Sequence, residues 1–132
     1  MRAIRRALYL ASGAWALVGL ALLLVPGFVV GTVLDQPGGT SQALARLLGL
    51  DMIGLAMFMV LVGHRAQDLW WWSWAFALVG VGTSAVLVLN AAFGLEPGQS
   101  GTWWWLGAAL AVVLTLAILY GLFAASQEQP LP

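Results

Sequence analysis

The sequence contains no cysteine and no lysine, and charged residues make up only 8% of it. Without cysteine there is no disulfide framework, thiolate metal site, redox CxxC motif or covalent haem attachment. The formal net charge is zero and basic residues form no long run, which argues against nucleic-acid binding. A nucleophile elbow, a phosphate-binding glycine loop, an HExxH motif and paired carboxylates are also lacking. We therefore expect no cofactor, and an enzyme is the least supported functional class.

What the sequence does contain is apolar residues, at 62% of the chain. Four long apolar stretches cover about residues 7–34, 43–63, 69–94 and 103–125. A membrane span needs about 20 such residues, so four spans and their loops occupy the whole chain, residues 1–132, as one domain. The spans must be helices, because open strand edges cannot be satisfied in lipid. The sequence predicts an all-α polytopic membrane protein, a bundle of four transmembrane helices, in which Pro26 kinks the first.

The basic residues predict the orientation of these helices. Three arginines precede the first stretch and Arg65 follows the second, whereas the other two loops carry Asp35 and Glu96 and no basic residue. By the positive-inside rule, both termini are cytoplasmic. The use of Ala, Leu, Gly and Trp without lysine suggests a bacterial source, and hence the inner membrane.

Two tryptophan clusters lie at the ends of the stretches. Because tryptophan concentrates at membrane–water interfaces, we expect all of them to anchor the helices there. The inner cluster comprises Trp70, Trp71, Trp72 and Trp74, and the outer one Trp103, Trp104 and Trp105.

Two ionisable residues, Arg46 and Asp51, fall inside the second stretch, where charge is expensive. Asp51 is nine residues past Gln42, about 13 Å along a helix, which places it near the bilayer midplane. There we expect adjacent helices to cover it and hydrogen-bond to it, or alternatively a role as a protonatable group in a transport pathway. Arg46 is nearer the outer surface and about 140° around the helix from Asp51, so each should have its own partners.

Asn90 and Thr83 are the polar residues of the third stretch that could reach the same depths. They share a stripe with Gly80, Leu87 and Gly94, a mixture of small and hydrogen-bonding residues typical of a helix-packing face. Together with Asp51 and Arg46 they are the candidate residues for binding a ligand or ion. No metal site is expected.

The chain resembles DoxX-like and related small bacterial four-helix membrane proteins. The resemblance lies in Pro26-Gly27, in Arg46-Leu-Leu-Gly49 and in Gly54-Leu55, and extends over nearly the whole chain. It implies the four-helix fold, and it adds a possible association with respiratory quinone chemistry.

Three functional hypotheses follow. The first is a structural or interaction role in the bilayer, as an accessory subunit of a larger membrane complex or as a homo-oligomer. The partners would then be other membrane chains or copies of this one. The second is a small-solute or proton-coupled transporter, or a ligand-binding membrane protein, with a polar pocket around Asp51, Arg46 and Asn90. The third is a quinone-associated protein of the DoxX-like kind.

Overall fold

The structure is a computed structural model that describes residues 1–33 and 42–130, and within these ranges it contains helices and no strand. The helices are α1 (Arg2–Leu24), α2 (Pro26–Phe28), α3 (Gln42–His64), α4 (Ala66–Leu69), α5 (Ser73–Leu89) and α6 (Thr102–Glu128). A 3₁₀ turn, Trp70–Trp72, joins α4 to α5, and π-helical turns follow α2 and α5 at Val29–Val33 and Asn90–Gly94. Four helical segments are long and apolar enough to cross a membrane. The all-α class and the four long helices are therefore confirmed.

Pro26 interrupts the first apolar stretch more completely than a kink would. Proline has no backbone N–H, and it pushes the preceding residue out of the helical region. Accordingly α1 ends at Leu24, and Val25 has φ −133° and ψ 58° while its N–H still donates to the Ala21 carbonyl. Pro26 then starts α2 at the first helical position, which suits its fixed φ. The predicted end of this stretch, Leu34, lies outside the described residues.

The four long helices pack in the order α3–α1–α6–α5. α1 packs along most of α3 and also against α6, and α5 packs against α6, whereas α3 and α5 make few contacts. The two central helices are thus α1 and α6. The outer helices, α3 and α5, each keep one side free of other helices of this chain.

The main core lies at the end of the bundle that carries both termini. The N-terminal amine is 2.5 Å from a Glu128 carboxylate oxygen, and Arg5 Nε donates to the Gly63 carbonyl over 3.0 Å. Both termini and the α3–α4 corner therefore share one end. The buried core is drawn from this end: Ile4, Ala7, Leu8, Ala11, Met59, Val62, Ala66, Trp70, Phe76, Ala77, Ile118, Leu122 and Ala125.

Towards the other end, glycines bring the helices together in pairs. A Cβ on Gly19 of α1 would lie 2.7 Å from the Gly49 carbonyl oxygen of α3. On the other side of the bundle, a Cβ on Gly80 of α5 would lie 2.5 Å from the Thr115 hydroxyl of α6. Backbone therefore meets backbone or a short side chain at both crossings, as is common between membrane helices.

Not all of the seven tryptophans predicted to be interfacial anchors lie on the surface of the bundle. Trp70 is only 2% exposed and belongs to the core, so its assignment as an interfacial anchor is wrong. Trp70 is the buried residue of the 3₁₀ turn, while the exposed Trp71 and Trp72 rings lie with centroids 5.1 Å apart and planes tilted by 33°. Of the other predicted anchors, Trp74, Trp103 and Trp105 are exposed and Trp104 is half-buried.

Candidate functional site

The second long helix, α3, has two contrasting sides. Its buried residues include Ala45, Gly49, Ala56, Met59 and Val62, at intervals of three, four or seven positions, and this side packs on α1. The opposite side is open. We call it the α3 outer face: Leu47, Leu50, Asp51, Gly54, Met57, Phe58 and Leu61, all exposed except the half-buried Gly54.

Asp51 is exposed on the α3 outer face, two residues from the middle of the helix. The expectation that adjacent helices cover Asp51 is therefore wrong. The physical reason is that α3 is the first helix of the row α3–α1–α6–α5, so only one of its sides is covered. Gly49 lies on the covered side, in contact with α1. Two residues rotate a helix by about 200°, so Asp51 lies nearly opposite Gly49.

Arg46 is also exposed, on the outer flank of α3. Among the described residues, the ion pairs are those of the N-terminal amine with Glu128 and of Arg65 with Asp68, and neither involves Arg46 or Asp51. Five residues separate Arg46 from Asp51, which corresponds to about 7.5 Å along the axis and opposite flanks of the outer face. The spacing predicts a separate partner for each, but among the described residues neither forms an ion pair.

Asn90 and Thr83 belong to α5 and its π turn, at the other edge of the row. Asn90 opens that turn, and its side-chain oxygen lies against the backbone of Gly94. Thr83 is half-buried, whereas the next residue, Ser84, which is not in the predicted stripe, has a buried hydroxyl. Because α5 packs on α6 and makes few contacts with α3, the polar pocket predicted around Asp51, Arg46 and Asn90 is not assembled among the described residues of this chain.

The buried hydroxyls between α5 and α6 are satisfied locally. Ser84 donates to the Gly80 carbonyl and Thr115 donates to the Ala111 carbonyl, both over 2.7 Å. The two hydroxyl oxygens are 3.5 Å apart. Since each hydroxyl has a single proton, and each is already committed to its own helix, the pair forms no strong bond across the helices.

A shallow groove of about 640 Å³ lies beside Asp51 on α3. Its lining comes entirely from this helix: Gly54, Met57, Phe58, Val60, Leu61 and His64. Gly54 lies in open space on this side of the helix, since a Cβ there would find no atom within 4 Å. Asp51 precedes Gly54 by three residues and so lies one turn away on the same side.

This groove was not anticipated from the sequence, although its signal is present there. Leu47, Leu50, Gly54, Met57 and Leu61 follow one another at alternating intervals of three and four residues. Such spacing marks one continuous helix side. Because every side of α3 is apolar, the spacing does not by itself distinguish this side from the one that packs on α1.

The described residues contain no cluster of three or more His, Cys, Asp or Glu side chains that could hold a metal ion. His64 is exposed at the end of α3. Compared with known proteins, the chain matches no family model, no curated protein and no solved structure. The resemblance to DoxX-like proteins accordingly stays a prediction.

Proposed function

We propose that this protein crosses a bacterial inner membrane four times with both termini cytoplasmic, and that it serves as an assembly subunit. In this proposal the α3 outer face binds another membrane polypeptide. The orientation is supported by charge. Arg2, Arg5, Arg6 and Arg65 all belong to the end of the bundle where the termini meet, and the positive-inside rule assigns that end to the cytoplasm.

The single observation that carries the assembly role is the exposure of Asp51. In the proposed membrane its carboxyl lies near the bilayer centre and faces outward, towards acyl chains. A charged residue at that depth costs roughly 2.5–3.5 kcal/mol on insertion scales, and it is usually directed to a protein interior or a wet cavity. Neither is available to Asp51 among the described residues of this chain. A second polypeptide over the α3 outer face supplies the missing environment.

The transport hypothesis receives less support. It requires Asp51, Arg46 and Asn90 to line one pocket, whereas these residues lie on the two edge helices of the row. The groove that does exist beside Asp51 is open along the helix side and lined by apolar side chains apart from His64. A groove of this kind suits helix packing better than passage of a polar solute.

Exchange of Asp51 for asparagine tests the assembly role. We expect Asp51→Asn to reduce the size of the complex extracted in native lipid nanodiscs, because the side chain loses its charged interaction with the partner. Asp68→Asn is the matched control, since Asp68 is exposed at the α4 corner, where it pairs with neighbouring Arg65. Mass photometry measures both. A wild-type protein that is a single chain in these discs, with no change in Asp51→Asn, would contradict the proposal.

The orientation is testable separately, because the chain has no cysteine of its own. Single cysteines at Gln67 and at Gln99 should react differently with a membrane-impermeant maleimide in intact cells. We expect labelling at Gln99, in the outer loop, and none at Gln67 until the cells are opened. The reverse pattern would overturn the assignment of the termini to the cytoplasm.

A further inference from the structure

We infer that the polypeptide covering the α3 outer face is α3 of a second copy of this protein, lying parallel to the first. This inference rests on the assembly role proposed above and names the partner for that same surface. Two copies inserted with the same orientation can meet at α3 only in the parallel sense. They would be related by a two-fold axis along the membrane normal, the commonest symmetry of protein dimers.

The first support is the heptad pattern of the open side. Leu47, Gly54 and Leu61 are seven residues apart, and so are Leu50, Met57 and His64. They occupy the a and d positions of a heptad, which meet the partner helix in a parallel coiled coil.

The second support is that the buried residues of α3 lie at other heptad positions. Ala45, Gly49, Ala56, Met59 and Val62 are at b, c and f, and they are buried on the side that packs on α1. α3 thus divides its heptad into a side for its own bundle and a side that is still vacant. The left-handed crossing that this pattern favours is also the usual one between membrane helices.

The third support is charge complementarity. In this register Arg46 immediately precedes an a position and is at g, while Asp51 immediately follows a d position and is at e. In a parallel pair, the g residue of one heptad faces the e residue of the next heptad on the partner helix, five positions further along. Arg46 and Asp51 are separated by five positions. Arg46 of each copy therefore faces Asp51 of the other, so the one arginine and the one carboxylate of the helix both become paired.

A second copy is favoured over an unrelated chain for this reason. The α3 outer face with its flank carries one cation and one anion at the spacing that a two-fold partner neutralises completely. A different protein would need a matching acid and base at the same depths. The groove agrees with helix packing, because Gly54 at an a position permits close approach and the adjacent Met57 can adapt its shape.

Disulfide cross-linking in native membranes tests the inference, since every cysteine introduced is the only one in the chain. Identical a or d positions in a parallel pair bring their Cα atoms within the 4.4–6.8 Å that a disulfide spans. We expect Leu50→Cys and Leu61→Cys to give a covalent dimer on mild oxidation. The matched control is Leu48→Cys, because Leu48 and Leu50 are both 54% exposed but Leu48 is at a b position. Leu78→Cys, on the exposed side of α5, is the second control.

Charge exchange tests the ionic pairing. Two variants are made in the Leu50→Cys background, one with Arg46→Glu and one with Asp51→Arg. In a homodimer of the first, an acid at position 46 faces Asp51, and in a homodimer of the second, Arg46 faces an added arginine. We expect each variant alone to lose about tenfold or more of the cross-linked dimer, a factor equivalent to 1.4 kcal/mol. Co-expressed, the two variants present opposite charges at both contacts, and we expect the mixed dimer to recover. If either charge variant fails to accumulate, the cysteine scan in the wild-type background still decides.

The outcomes separate this inference from the proposed function. Equal cross-linking at Leu50, Leu61 and the control positions means random collision, and the second-copy inference is wrong. The second-copy inference is also wrong if the a and d cysteines give no dimer while Asp51→Asn still reduces the size of the complex. In that case the assembly role stands, with a different partner. If the cysteines fail and Asp51→Asn changes nothing, both proposals fall. Failure of the mixed dimer to recover overturns the Arg46–Asp51 pairing.

Discussion

Gly19 and Gly49 hold α1 and α3 in backbone contact. A Cβ on Gly49 would lie 2.5 Å from the Gly19 carbonyl oxygen, and one on Gly19 would lie 2.7 Å from the carbonyl oxygen of Gly49. This reciprocal contact has a consequence on the other side of the helix. Because it fixes which side of α3 meets α1, it also places Asp51, two residues beyond Gly49, on the outside. The packing of two glycines thus determines the exposure of the one acid in this helix.

Gly49→Ala should separate α1 from α3. The added methyl meets backbone atoms, which cannot yield as a flexible side chain would, so we expect a loss of roughly 1–3 kcal/mol, typical of overpacking. Unfolding in a mixed-micelle titration with SDS measures this. Gly13→Ala is the control, because Gly13 is likewise inside a long helix, α1, but an added Cβ there has no atom within 4 Å. It should be neutral or slightly stabilising. Equal effects of the two substitutions would contradict the close contact.

The coarse fold follows from the sequence because it depends on local properties. The length and apolarity of each stretch are sufficient to predict four long helices. The chemistry of Pro26 predicts a kink at that position, although the helix is in fact interrupted at Val25. The helices extend beyond the predicted stretches: α1 begins at Arg2 and α6 continues to Glu128. Both extensions are more polar than the apolar stretches, so hydropathy alone does not detect them.

The arrangement of the helices could not be predicted in the same way. A helix that is apolar on every side gives no hydrophobic pattern to distinguish the buried side from the open one. The buried environment of Trp70 and the exposure of Asp51 both depend on the packing order, which is non-local. Glycine marks some of these contacts: Gly19, Gly49, Gly63, Gly80 and Gly121 are buried where helices meet, whereas Gly13, Gly54 and Gly82 lie in open space.

Arg5 stabilises the C-terminal end of α3 from a neighbouring helix. Its Nε donates to the Gly63 carbonyl, one of the last carbonyls of a helix and hence without a partner inside it. The cation also lies at the negative end of the helix dipole. Replacing Arg5 with glutamine should cost about 1–2 kcal/mol, near the boundary between ordinary hydrogen bonds and those made by charged groups.

Arg6→Gln is the control for this substitution. It removes the same charge from the same terminus, and so has the same effect on membrane orientation, but Arg6 is exposed. Thermal unfolding in mild detergent measures the effect. The midpoint temperature should be lower for Arg5→Gln than for the wild type, and nearly unchanged for Arg6→Gln. If the two variants unfold alike, the hydrogen bond to Gly63 does not contribute.

Ser84 and Thr115 lie side by side but should be energetically independent. Each hydroxyl donates within its own helix, so removing one leaves the bond of the other intact. A double-mutant cycle with Ser84→Ala and Thr115→Val should give a coupling energy below about 0.5 kcal/mol, close to the additive limit. A coupling above 1 kcal/mol would mean that the 3.5 Å contact is a true interhelical hydrogen bond.

Ser73 is the position where a substitution should improve stability. Its hydroxyl is fully buried at the start of α5 and, within the described part of the chain, has no hydrogen-bonding partner. An unsatisfied buried hydroxyl costs about 1–3 kcal/mol, so Ser73→Ala should raise the free energy of unfolding by up to that amount. Ser12→Ala provides the contrast, because Ser12 is nearly as buried but donates to the Tyr9 carbonyl over 2.8 Å. We expect the SDS titration midpoint to rise for Ser73→Ala and to stay level or fall for Ser12→Ala. A fall for Ser73→Ala would mean that the hydroxyl has a partner after all, such as a buried water bridging the 3₁₀ turn to the core.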